Sequence, residues 1–115
     1  MKSKIHVLRF RITDRDILNM VRKGAKKLET RVATERYGKI KPGDKLLFKC
    51  GKDKFQKEVK KVKVFRSIPE MLKKYSPSEI NPKIHSEPEL IKMYYGFSEY
   101  KEKIRKYGLV VLELK

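Results

Sequence analysis

The sequence predicts an α+β domain built around a small, strongly curved sheet, and three observations point to it. Strand-like segments at both ends enclose a stretch that alternates strand and helix signals, an order typical of α+β folds. The last segment, Tyr107 to Leu114, is nearly continuously apolar, as expected of a central strand covered on both faces. The alternation Phe55, Lys57, Val59 falls out of phase with Val62 and Val64, which calls for a bulge near Lys60 and Lys61 and therefore a bent strand. Dense apolar content in the last strand and a bend in another together favour a small barrel or a highly curled sheet.

In chain order, Ile5 to Phe10 reads as a first strand. Thr13 is placed to cap a helix, with Asp16 three residues on, and Ile17, Leu18, Met20 and Val21 form its apolar stripe. Gly24 suits the left-handed position that ends it. Leu28 to Val32 alternates as a second strand, with Leu28, Thr30 and Val32 on one face and Glu29 and Arg31 on the other. Ala33 to Lys39 is polar and is expected to be a loop. The turn Lys41-Pro42-Gly43-Asp44 launches a third strand, Lys45 to Lys49. Gly51 to Lys54 reads as a hairpin connection into the long bent strand. Ser67 and Glu70 form a capping box for a short helix carrying Met71 and Leu72. Pro77 and Pro82 are expected to bracket a loop. Ser86 opens a helix with Leu90, Met93 and Tyr94 inward, and a further short helix carries Tyr100 and Ile104.

At 115 residues this is a single domain, 1–115, large enough to bury roughly two-thirds of its unfolded surface without staples. No apolar run approaches a membrane span. The N-terminal residues lead into a strand and not into a signal-peptide core. One cysteine, Cys50, excludes an internal disulfide, and a cytoplasmic location is expected. The formal net charge is +17, from 31 Lys and Arg against 14 Asp and Glu. Thermophile-like lysine-rich surfaces usually carry comparable glutamate. The excess here favours a phosphate-rich partner.

One cluster stands out. Lys26, Glu29 and Arg31 lie within six residues at the start of the second strand, with Glu29 and Arg31 neighbours on one face. They form either a structural ion pair or a site. As a site, Lys26 and Arg31 would meet phosphate or a base edge, and Glu29 would accept from an exocyclic amine. Arg9 and Lys45 are possible electrostatic support. Tyr37, Tyr94, Tyr95 and Phe97 are candidate stacking platforms, with Tyr95 the expected exposed one. The run Lys57, Lys60, Lys61 and Lys63 is either an edge guarded by charge or a phosphate track. His6, His85 and Cys50 show no ligand spacing, so no metal and no cofactor is expected.

Taken together, Gly24 to Arg31, Ile40 to Phe48, Glu58-Val59, Val64 to Ser67, Glu70 to Leu72, Tyr94-Tyr95 and Tyr107 to Leu114 resemble the ASCH domain family of the PUA-like superfamily, in its small stand-alone archaeal and bacterial form. The resemblance implies a β-barrel of five to six strands flanked by three to four short helices, with a cleft beside the Lys-x-x-Glu-x-Arg strand. It implies binding of RNA, a nucleotide or a modified nucleoside. A second implied reading is hydrolysis, by an amidohydrolase or a ribonuclease, in which Lys26 and Glu29 would be catalytic. Family members that deacylate a modified cytidine use a lysine, a threonine and a glutamate. Lys26 matches the first, but Glu29 stands at the threonine position. Thr30 is expected on the opposite strand face, and Glu87 and Glu89 merely lie near the place of the distal glutamate. The family name also hints at a protein partner.

Overall fold

The computed structural model describes residues 3–115. Five strands form one curled sheet in the order β1-β3-β4-β5-β2, with β1 (Ile5–Arg9), β2 (Leu28–Val32), β3 (Lys45–Cys50), β4 (Asp53–Phe65) and β5 (Leu109–Leu114). β1 pairs parallel with β3, and every other pair is antiparallel. The bend is where the hydrophobic phase places it. The β4–β5 register shifts between Val59 and Lys61, leaving Lys60 as the extra residue. β4 therefore pairs with β3 through its first half and with β5 through its second.

The sheet is a half-barrel, and the expected closure does not occur. β1 and β2 are the two ends of the strand order and do not pair with each other. Helix α1 (Arg15–Lys23) supplies the reason. Its Leu18 and Val21 pack inside the curl against Leu8, Leu46, Phe48, Val59, Val110 and Leu112, occupying volume that a closed barrel would fill with strand side chains. β5 is buried on both faces, as its composition requires. Val110, Leu112 and Leu114 face this inner core, while Leu109 and Val111 face an outer one. The outer core is roofed by α3 (Ile68–Met71), α4 (Pro77–Ile80), α5 (Glu87–Tyr95) and α6 (Tyr100–Tyr107), through Ile68, Met71, Ile80, Leu90, Tyr94 and Ile104.

Six α-helices are present among the described residues, more than the three or four expected. The two extra ones lie in the segments read as loops. α2 (Glu35–Gly38) has little apolar content, but Arg36 Nη2 donates to the Val7 carbonyl across the seam at 3.1 Å. α4 follows Ser76, whose N–H donates to Glu79 Oε1 at 2.9 Å. This Ser-Pro-x-Glu signal is visible in the sequence and is as good as the one at Ser67. Thr13, by contrast, caps nothing. Ile12–Asp14 form a 3-10 turn, and Asp16 Oδ1 accepts from the next residue's N–H at 2.9 Å. Gly24 ends α1 at φ 82° as expected. The last strand begins at Leu109, because α6 continues through Tyr107 and Gly108 turns the chain.

Candidate functional site

β2 is an edge strand, and this decides the site. Lys27 C=O bonds to Leu114 N–H, and Ala33 N–H bonds to Gly108 C=O, so Lys27, Glu29, Arg31 and Ala33 direct their backbone groups to β5. Leu28 and Thr30 then turn theirs to the open seam. Both seam carbonyls are taken by cationic side chains. Lys26 Nζ donates to the Leu28 carbonyl, and Arg31 Nη1 donates to the Thr30 carbonyl at 2.9 Å. The edge is thus guarded against strand addition and left rich in donors.

The three clustered residues come together as expected. Lys26 Nζ donates to Glu29 Oε1 at 2.6 Å, and Arg31 Nη1 lies 2.7 Å from Glu29 Oε2. Lys26 is 5% exposed and Glu29 3%. Arg31 Nη1 carries two N–H groups and serves the Thr30 carbonyl as well as the Glu29 charge. Glu29 Oε2 is fully buried against the Arg31 guanidinium. Burial pushes the Glu29 carboxyl up, but the charges of Arg31 and Lys26 outweigh it and hold the group below the ordinary carboxylate range. Burial likewise works against the Arg31 charge, and Glu29, together with Tyr100 and Tyr37, more than compensates.

The network lines a cleft of about 550 Å³ at the seam of the half-barrel. Arg9, Phe10 and Arg11, where β1 ends, form one wall, and Phe97 and Tyr100, from the α5–α6 region, form the other. The Arg31 guanidinium lies 5.4 Å from the centre of the Phe10 ring and so bridges the two open strands. Phe97 and Tyr100 meet edge to face at 5.0 Å, and Tyr100 stacks on Tyr94 at 6.3 Å. Four cations, Arg9, Arg11, Lys26 and Arg31, line the cleft against two carboxylates, Asp14 and Glu29, and Asp14 is already paired with Arg11 at 3.0 Å.

Arg9, Lys26, Glu29 and Arg31 thus share one cleft, whereas Lys45 and Tyr95 lie outside it. Lys45 starts β3 beside Ile5, at the opposite end of β1 from Arg9. Tyr95 is 47% exposed, with the Lys101 ammonium 5.7 Å from its ring centre. Tyr37 packs against the inner core. Glu87 and Glu89 sit in the first turn of α5 and do not reach the cleft.

Thr30 borders the cleft as well. Its side chain is on the outer face, as the alternation demands, yet it lines the cleft because the strand has a free edge there. Its hydroxyl bonds the hydroxyl of Tyr94, which is otherwise a core residue. The sequence does not single out Phe10, Arg11 and Tyr100, since nothing local shows that β1 ends opposite β2. His6 pairs with Asp44 at 2.8 Å, and Cys50 is buried in the inner core.

The whole fold has solved counterparts. The crystal structure of hypothetical protein PH0355 is 31% identical, covers 97% of this chain and 97% of its own, and superposes with a TM-score of 0.82. The chain belongs to the same family as PH0355. The solution structure of protein PF0455 from Pyrococcus furiosus is 30% identical and covers 100% of this chain and 96% of its own, with a TM-score of 0.71. No protein-family model and no curated protein matches the chain.

Proposed function

We propose that this protein is a PUA-like module of the ASCH type that binds an unpaired base of RNA, or a nucleotide derived from it, in the seam cleft. The observation that carries the reading is the seam cleft itself, where Arg9, Arg11, Lys26 and Arg31 lie between the aromatic walls of Phe10 on one side and Phe97 and Tyr100 on the other. Phe97 and Tyr100 offer faces and edges for stacking, as single-stranded recognition requires, and Arg9 and Arg11 stand at the rim for phosphate. The same geometry works against hydrolysis. A carboxyl held below its ordinary range is a weak general base near neutrality, and the Lys26 ammonium is committed to Glu29 and the Leu28 carbonyl. The hydrolase reading retains one observation in its favour, the Thr30 hydroxyl at the cleft edge.

Titration with nucleoside 5′-monophosphates and short single-stranded RNAs at two salt concentrations tests the proposal. Arg9→Ala with Arg11→Ala should weaken binding by about tenfold and flatten its salt dependence. Because both residues are exposed, the fold should survive. Weak, uniform binding by the intact protein, or unchanged affinity in the variant, would overturn the cleft assignment. Turnover of an acylated nucleoside, lost in Thr30→Val, would replace it with the hydrolase.

A further inference from the structure

A second cavity, of about 340 Å³, opens on the other side of the Lys26 segment. Val21 and Leu114 form an apolar floor, and Gly24, which carries no side chain, leaves the α1 end open. Lys26, Lys27, Lys57, Lys60 and Lys115 converge around it, and no lining side chain is acidic. Two of these amines are already engaged, Lys26 with Glu29 and Lys115 with Glu58 at 2.6 Å. Lys27, Lys57 and Lys60 have no carboxylate partner among the described residues.

The convergence is built into the backbone. In a regular strand Lys57 and Lys60 would point to opposite faces. The bulge after Val59 leaves Lys60 unpaired, and it lines the same cavity as Lys57. A guarded edge needs charge along a strand, not three lysines lining one cavity with an apolar floor. Like charges on residues that line one cavity repel one another, and an anion bound there relieves that repulsion. Farther along β4 the same excess recurs, where contact with Lys63 depresses the Lys74 ammonium.

The two cavities are also adjacent. Lys26 lines both. Ile17 of α1 borders the cleft, and Val21, about 6 Å further along the helix at 1.5 Å per residue, borders the second cavity.

We propose that the Lys27–Lys57–Lys60 cavity is an anion subsite that takes a backbone phosphate of the same RNA strand whose base enters the seam cleft. The strand identity rests on the cleft reading above; the anion chemistry does not. It makes this protein a reader of at least two consecutive ligand parts, with Lys26 as the shared wall. Oligonucleotides should therefore bind more tightly than mononucleotides, and only the oligonucleotide gain should depend on Lys57 and Lys60.

The test compares the intact protein with Lys57→Gln/Lys60→Gln, using inorganic tripolyphosphate, a nucleoside 5′-monophosphate and a single-stranded pentanucleotide. Tripolyphosphate should shift the amide resonances of Gly24, Lys27 and Lys60, and the variant should bind it about tenfold more weakly. Pentanucleotide affinity should fall by a similar factor, with the salt slope reduced by about 0.7 for each phosphate no longer neutralised. Mononucleotide binding should stay unchanged. Equal tripolyphosphate and pentanucleotide affinities in the two proteins would overturn the subsite. Lysine-dependent tripolyphosphate binding by a protein that binds no nucleotide would leave the anion site standing and remove the cleft reading instead.

Discussion

Glu29 is shared between two cations and is nearly inaccessible to water, so its charge has value only while both partners are present. Glu29→Gln removes one charge and leaves the buried Lys26 ammonium and the half-buried Arg31 guanidinium without their shared counter-charge. Breaking a buried pair in this way costs about 3–5 kcal/mol, and denaturant unfolding should show a loss in that range. The group also predicts a pH dependence. Its carboxyl is depressed in the folded state relative to the ordinary 4.5. The stabilisation is therefore complete above that value and disappears as the pH falls through the lower folded value. Asp44 acts in the same direction. Burial works against its charge, but the His6 ring and the N–H groups of Lys4 and Lys41 hold it below the ordinary range. Stability measured against pH should drop steeply in acid, and the drop should be shallower in Glu29→Gln. An identical acid limb in the two proteins would show that Glu29 is not the linked group.

At the scale of elements, two glycines do different jobs and should respond differently to the same change. Gly108 turns the chain from α6 into β5 at φ 80°, and a Cβ there would run into the Phe65 carbonyl oxygen. Gly24 ends α1 at φ 82° with nothing within 4 Å of where a Cβ would lie. Gly24→Ala should cost about 1 kcal/mol from the left-handed backbone alone. Gly108→Ala adds a clash with main chain and should cost more than about 2 kcal/mol. For a domain of this size that corresponds to a melting temperature lower by about 4 °C and more than about 8 °C respectively. Equal losses would mean that the β4–α6 approach relaxes without cost. The bulge at Lys60 belongs to this scale too, since its removal would turn Val62 away from the inner face and bring Lys61 and Lys63 onto it.

Across the whole molecule, β5 is the common wall of two cores. Leu109 and Val111 belong to the outer one and Val110, Leu112 and Leu114 to the inner one. Neither layer can come apart without exposing that strand, so the domain should unfold in one cooperative step. Native-state hydrogen exchange checks this. The β5 amides should exchange only through global unfolding, and those of edge strand β1 through smaller openings. Protection in β5 no greater than in β1 would contradict the shared-wall arrangement. The half-barrel also explains where the candidate site lies. A sheet that curls without closing leaves a seam, and the seam holds the cationic, aromatic-lined cleft. No helix among the described residues is long and apolar enough to cross a membrane.

Much of this is written locally in the chain. The β2 alternation that puts Glu29 and Arg31 together, the bulge near Lys60, the glycine stop at Gly24 and the doubly covered last strand all follow from side-chain period and backbone sterics, which act between near neighbours. The Ser76 capping signal is legible as well, although the flanking prolines favour a loop. What the tertiary structure alone decided is which strands are edges and what faces them. α1 fills the curl and keeps β1 from β2, so Thr30 gains access to the cleft, Phe10 comes under Arg31, and Lys45 and Tyr95 are left elsewhere. Those outcomes depend on contacts between residues distant in the chain, whose energies come from filling a shared volume and have no local period to read.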